Sequence, residues 1–230
     1  MSRLKPELRR IGTENNPLVI IDDFSGRADE IAEIAKQLAP YPPAKNYYPG
    51  LRRVITQADR EADLYVEETC ERTGQFIAGA FDFESFELLE ASFSIVTTPP
   101  TELSPAQRAP HFDTTDEKHL ALLHYLRVPA GSGTAFYRQR STGIERVTEE
   151  NIGQFVTTAK REAALLSADS GYISGSDRFF EEIASIEAVP DRLIIYQGSL
   201  LHSGIIPAHM EFSDDPRRGR LTANFFIRGD

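Results

Sequence analysis

The sequence predicts a mainly β protein of the α+β class, with N-terminal helices backing a sandwich or barrel. Two observations lead there. The pattern changes near residue 85, from two amphipathic helical stretches to six short β-rich runs separated by Gly/Pro turns. The chain has 230 residues, 40% of them hydrophobic. That is enough for a real core, and all-β sandwiches and barrels commonly reach roughly 200–250 residues as one domain. The expected organisation is one domain over 1–230, with helical support at roughly 1–84 and a β core at roughly 85–230.

The first 15 residues are polar and are expected to cover the surface. Pro17–Ile21 is a short apolar run that reads as a strand. Ser25 is placed to cap a helix in which Ile31, Ile34, Ala35 and Leu38 recur at i, i+3, i+4 and i+7. Pro40, Pro42 and Pro43 stop it, and a Tyr/Pro/Gly-rich loop covers roughly 41–50. A second helix at roughly 61–80 carries Val66, Cys70, Thr73 and Ile77 on one face, which makes Cys70 a packed core thiol. Phe86–Val96, His119–Val128 and Gly133–Tyr137 read as strands, the last after a Pro-Ala-Gly-Ser-Gly turn. Gly131-Ser132-Gly133 lacks the third glycine and following helix of a phosphate loop. Thr148, Glu149 and Glu150 open an insertion helix. Phe179, Phe180, Ile183 and Ile186 read as packing of that insertion or as a lid. Asp191–Tyr196, Leu200–Ile206 and Arg220–Ile227 complete the β-rich runs.

Charge and cysteine content exclude several functions. With 35 acidic and 25 basic residues the net charge is −10, which repels phosphate backbones and argues against a nucleic-acid partner. One buried arginine can still bind a small anion. Cys70 is the single cysteine, so neither an intrachain disulfide nor a thiolate zinc cluster is available. The polar N-terminus carries no secretory h-region and no run of about 18 apolar residues exists. A cytoplasmic protein without a membrane partner is expected.

Chemistry concentrates in three places. His111-Phe112-Asp113 is an H-x-D in which period-2 geometry aims both side chains the same way, as one metal ion requires. Alone, the pair is a weak signal and fits a surface-loop histidine beside a solvated aspartate better. His202 interrupts the apolar Leu200–Gly204 run, as either a satisfied core histidine or a ligand. His111, Asp113 and His202 together supply two imidazoles and one carboxylate, the facial set that leaves coordination positions open on non-haem Fe(II). In the last strand Arg220, Thr222 and Asn224 share a face opposite Leu221, Ala223 and Phe225. If that face points inward, a buried arginine needs a partner, and a carboxylate with a hydroxyl beside it is one. His119 and His124 differ by five and face opposite sides of their strand, as core or edge residues. Arg217 and Arg218 read as a solvated hairpin, or as a lure for an acidic substrate.

In order, His111-x-Asp113, Leu122–Leu126, Gly131–Phe136, His202 and Arg220-x-Thr222 resemble the 2-oxoglutarate/Fe(II)-dependent oxygenase superfamily, most closely its prolyl-hydroxylase-like branch. Leu122-Leu123-His124-Tyr125-Leu126 is similar to that branch's LLYL strand, and Gly131–Phe136 to its GGxTxF element. The resemblance covers roughly residues 86–228. It implies a double-stranded β-helix (jelly roll) with N-terminal supporting helices and one helical insertion. It further implies Fe(II) on His111, Asp113 and His202, with 2-oxoglutarate held by Arg220 and Thr222. O₂ would be the second co-substrate of a hydroxylase that yields succinate and CO₂. The substrate would be a small molecule, amino acid or peptide side chain. Asp113 implies that the halide site of related halogenases is not present.

The chain departs from the branch in three places. Phe93–Val96 lacks the tyrosine expected to contact 2-oxoglutarate, with Tyr125 and Asn224 as possible substitutes. Ala121 stands where a threonine is expected, and Arg220 where lysine is more usual. Two other classes fit the same residues: a cupin-like metalloenzyme that uses no 2-oxoglutarate, and a non-catalytic jelly-roll binding module.

Overall fold

The computed structural model describes residues 4–165, 167 and 170–230. Among them, two antiparallel sheets pack face to face, two N-terminal helices cover the outer face of the larger, and a third helix packs against the smaller. The large sheet is built from β1 (Pro6–Ile11), β2 (Asn16–Ile21), β3 (Gly50–Val54), β4 (Phe86–Val96), β5 (His119–Arg127), β8 (Leu193–Gln197) and β10 (Arg220–Gly229), in the order β1-β2-β8-β5-β10-β4-β3. The small sheet is β7 (Phe180–Glu187), β6 (Gly133–Gln139) and β9 (His202–Ile205), with β6 central. The helices are α1 (Ala28–Gln37), α2 (Arg60–Phe81) and α3 (Ile152–Ala163). This is the jelly roll that the sequence predicts.

Alternation along β10 divides the interior. Leu221, Ala223, Phe225 and Ile227 face the helices and join a core with Ile31, Ala35, Tyr65, Val66 and Ile77. Tyr65 stacks on Phe93 at 6.1 Å between centroids and meets Phe225 edge-on at 5.6 Å. Each such buried ring or branched side chain stabilises the fold by about 1.5–3 kcal/mol. The other face of the large sheet sends Leu18, Ile20, Ala121, Tyr125, Ile194 and Tyr196 against Phe136 and Ile186 of the small sheet. That second core covers the β2-β8-β5 side. Beyond it, on β10, β4 and β3, the inner face turns polar: Thr222, Asn224, Ser94, Ser92 and Arg52.

Behind the sheet, polar side chains bind the helical layer to it. The Tyr65 hydroxyl donates to His124 Nδ1 at 2.6 Å, and His124 Nε2 donates to Asp191 at 2.9 Å. Asp191 also accepts from the Ser25 amide and hydroxyl and the Gly26 amide, at 3.0, 2.5 and 2.7 Å. Burial keeps His124 neutral, its pKa below the usual imidazole value. Despite partial burial, these hydrogen bonds pull the Asp191 carboxyl down to about 2.

Several local expectations are corrected. Ser25 does not cap α1; it lies before the helix, accepts the Arg27 amide and donates to Asp191. Residues 6–10 are exposed as expected, but with the buried Ile11 they form an edge strand paired with β2. The 41–50 loop runs directly into β3. Phe180–Glu187 is a strand of the small sheet; its mixed burial hides the period-2 signal. Thr148–Glu150 precede α3 rather than form its first turn. His119 and His124 do face opposite sides, and Cys70 packs against the core, its thiol pushed up to about 11 by burial.

Candidate active site

His111 and His202 are held by reciprocal backbone hydrogen bonds. The His111 amide donates to the His202 carbonyl at 2.9 Å, and the His202 amide returns the bond at 2.8 Å. This bridge extends the small sheet by one residue beyond β9. Their rings lie 4.3 Å apart between centroids. Two residues on, the Asp113 amide donates to the Gly198 carbonyl at 2.7 Å, which draws the carboxylate to the same end of the barrel. Only glycine fits at 198, since a Cβ there would lie 2.4 Å from His119 Nδ1 and 3.3 Å from the Asp113 Cβ.

One donor atom from each of His111, Asp113 and His202 lies within 4.8 Å of the others, close enough to hold one metal ion. His202 is buried; His111 and Asp113 reach solvent at the mouth. The His202 Nδ1–H donates to the Leu200 carbonyl at 2.8 Å, which leaves the Nε2 lone pair to face Asp113, 3.8 Å away. Tyr196 packs edge-on against His202 at 4.9 Å. Desolvation lowers both His111 and His202 to about 4, so both imidazoles are neutral, as metal ligands must be. Burial raises Asp113, against the pull of His111, His119 and Arg52.

Deeper in the barrel, Arg220 and Thr222 sit on the inner face of β10, both buried. Arg220 Nη2 donates to the Gly133 carbonyl at 3.1 Å and its guanidinium lies 5.7 Å from the Tyr125 ring centre. The Arg220 Nε is buried with no hydrogen-bond partner. So is the hydroxyl of Tyr48, which faces Arg220 and Thr222 from the loop before β3 and is pushed up to about 12 by burial. Two orphaned polar atoms in one place are what a missing ligand leaves behind, because a buried unpaired donor costs about 1–3 kcal/mol. Tyr196 feels both Asp113 and Arg220, so the two halves share one interior.

The structure therefore brings together all five residues singled out from sequence. Tyr125 lies beside Arg220 but is engaged with Thr134 at 2.7 Å, and Asn224 donates to Ser94 at 2.8 Å. Tyr48 and Arg52 were not singled out. Their only trace in sequence is the Tyr47-Tyr48-Pro49-Gly50 loop and the arginine pair that follows it. Arg217 and Arg218 pair with Asp215 and Glu211 on the surface.

Over residues 2–227 the sequence matches the model of DUF6445, a family of unknown function. The chain belongs to this family. No curated protein matches it. Among solved structures, this DUF6445 fold is similar to the non-heme α-ketoglutarate-dependent epimerase SnoN from nogalamycin biosynthesis. The TM-score is 0.57 and the identity 10%, covering 94% of this chain and 79% of that one. It is also similar to the collagen prolyl hydroxylase of Paramecium Bursaria Chlorella virus-1 in its 2-oxoglutarate complex, with TM-score 0.52, identity 13% and coverage of 93% and 96%. HygX from Streptomyces hygroscopicus, with nickel, 2-oxoglutarate and hygromycin B bound, gives TM-score 0.56, identity 12% and coverage of 94% and 84%. The DUF6445 chain thus has the jelly roll of 2-oxoglutarate/Fe(II) oxygenases. Among the described residues no helix is long and apolar enough to cross a membrane.

Proposed function

We propose that the chain is a non-haem Fe(II)/2-oxoglutarate-dependent dioxygenase, acting as one catalytic unit over residues 1–230. It hydroxylates an unactivated C–H of a small molecule, amino acid or peptide side chain. The observation that carries this reading is the pairing of a converged His111–Asp113–His202 donor set with the orphaned Arg220 Nε and Tyr48 hydroxyl in the same barrel. The fold shared with SnoN, the viral prolyl hydroxylase and HygX supports it.

The residues fit the groups that this chemistry needs. Two neutral imidazoles and a carboxylate are the borderline-soft facial set that suits Fe(II) and leaves positions open. Arg220 takes the distal carboxylate of 2-oxoglutarate through its free edge, while Thr222 and Tyr48 offer hydroxyls to the same group. Bound iron with 2-oxoglutarate and O₂ supplies the oxidising power, with succinate and CO₂ as by-products. The chain itself positions and shields. The Leu200 carbonyl fixes the His202 tautomer. Tyr125, Phe136 and Tyr196 wall the interior against water. The exposed side of His111 and Asp113 leaves a path for the substrate.

The test is anaerobic titration of 2-oxoglutarate into the Fe(II)-loaded protein, followed by its visible metal-to-ligand charge-transfer band. The band forms if the oxo-acid chelates a facial-triad iron, and R220A weakens its titration. Iron binding without a band leaves a metalloenzyme that uses no 2-oxoglutarate. No iron binding leaves a binding module.

A further inference from the structure

Of the polar strip on the inner face of β3, β4 and β10, Arg52, Ser92 and Ser94 are given no part in holding metal or 2-oxoglutarate. Arg52, directly opposite Ser94, faces inward, whereas its neighbour Arg53 reaches the opposite side to pair with Asp59 at the start of α2. The Arg52 Nε donates to the Ser92 hydroxyl at 2.9 Å, and Nη2 to Glu90 at 2.5 Å. Its guanidinium lies 5.1 Å from the ring centre of Phe226, and His119 stacks on that ring at 5.4 Å. The side chain is 16% exposed, yet its charge acts on the Asp113 carboxylate. The large-sheet residues in the apolar layer between the sheets come from β1, β2, β5 and β8, with Phe226 from β10. The His119 ring that stacks on Phe226 and the Asp113 Cβ both lie against position 198, so an aligned cation and an apolar plate stand on the Asp113 side of the donor set.

We propose that Arg52 and Phe226 form the primary-substrate subsite, which takes a monocarboxylate with an apolar body, the carboxylate on Arg52 and the body across Phe226. This rests on the oxygenase reading and adds the substrate class. Two of the three guanidinium nitrogens are held by Ser92 and Glu90, so the fork is pre-aligned and Nη1 has no hydrogen-bond partner among the described residues. Glu90 and Asp113 disfavour a dianion such as phosphate, which leaves a monocarboxylate as the anion that fits.

The probes are the twenty protein amino acids and straight-chain fatty acids of four to eight carbons, each beside its primary amide. They are titrated calorimetrically into protein loaded with Ni(II) and 2-oxoglutarate, and into protein without either. At least one carboxylate binds, and its amide binds about tenfold or more weakly. R52Q weakens the carboxylate by about tenfold to a hundredfold, the loss of a charge-assisted pair. E90Q tightens it severalfold, because the guanidinium loses its internal counter-charge. A purely structural Arg52–Glu90 pair predicts no such opposition of sign. Absence of any carboxylate binding, equal binding of the amides, an indifferent R52Q or an E90Q that does not tighten overturns the proposal. E90Q keeps the arginine and decides the matter even if R52Q misfolds. A charge-transfer band without carboxylate binding sinks this inference alone. Carboxylate binding without a band sinks the oxygenase reading and leaves the subsite.

Discussion

The amides and carbonyls of His111 and His202 bond to each other, residue directly opposite residue, at 2.9 and 2.8 Å. The two residues are thereby positioned by main chain, and the exposed His111 side chain carries little of the local structure. H111A is expected to keep the fold, with a change within about 1 kcal/mol, or about 2–4 °C in Tm. It should lose Fe(II) affinity by more than about a hundredfold, beyond the loss known for outer-shell partners. Calorimetry of metal binding alongside thermal melts checks both. A collapsed fold with intact metal binding would reassign the residue to structure.

Arg220 gives a prediction of opposite signs. A buried guanidinium with an unpaired Nε costs the ligand-free fold free energy. R220M should therefore leave the ligand-free protein as stable as wild type or more so, while weakening 2-oxoglutarate about tenfold or more. Y48F should weaken it severalfold, by one neutral hydrogen bond, with the ligand-free Tm unchanged or raised. Differential scanning calorimetry with and without 2-oxoglutarate separates the two effects.

Acid should destabilise the protein in two stages. His124 has its pKa lowered in the fold, so below about pH 6.5 the unfolded chain takes up a proton that the folded chain refuses. His111 and His202, held near 4, act in the same direction in metal-free protein. Stability is full above that range and falls as the pH drops from 6.5 towards 4. Asp191, held at about 2 against an ordinary 3.8, contributes on the order of 2 kcal/mol above pH 4, lost as the pH falls through 2. Urea unfolding of metal-free protein at pH 7, 5.5, 4 and 3 should show both stages. D191N should lose about 2–4 kcal/mol at pH 7 and the second stage with it. A flat profile between pH 7 and 4 would contradict the burial of His124 and His202.

Glu145 is a buried carboxylate that accepts from the Thr13 amide and hydroxyl at 2.9 Å, from Asn16 at 3.3 Å and from Arg138 at 2.8 Å. It pins the β1–β2 turn to the loop after β6. E145A strips these donors of their acceptor, leaving Asn16 buried without it and Arg138 with Glu181 alone, and is expected to cost about 1–3 kcal/mol. Chemical denaturation measures it, and a change below 1 kcal/mol would show that the turn relaxes freely.

The legible parts of this protein were local. Ile31, Ile34, Ala35 and Leu38 recur at a helical period, and Phe86–Val96 and Arg220–Ile227 carry enough β-branched and aromatic residues to declare strands. The H-x-D spacing puts two donors on one side of an extended segment whatever the fold, whereas His202 entered the candidate set through its place in an apolar run and the family resemblance. Strands β1, β3 and β7 were missed, because polar edge strands or mixed burial erase the alternation that marks a half-buried strand.

Residue types and short-range periods thus determined most of the elements, the His111–Asp113 pair and the shared face of Arg220, Thr222 and Asn224, because these depend on neighbours a few residues apart. Tertiary structure alone decided that His202 stands opposite His111, that Tyr48 closes over Arg220, and that Arg52 rather than Arg53 faces the barrel. The first two depend on loop segments brought against strands from distant parts of the chain, and the third on the β3–β4 register, where a shift of one residue would turn Arg52 to the other face.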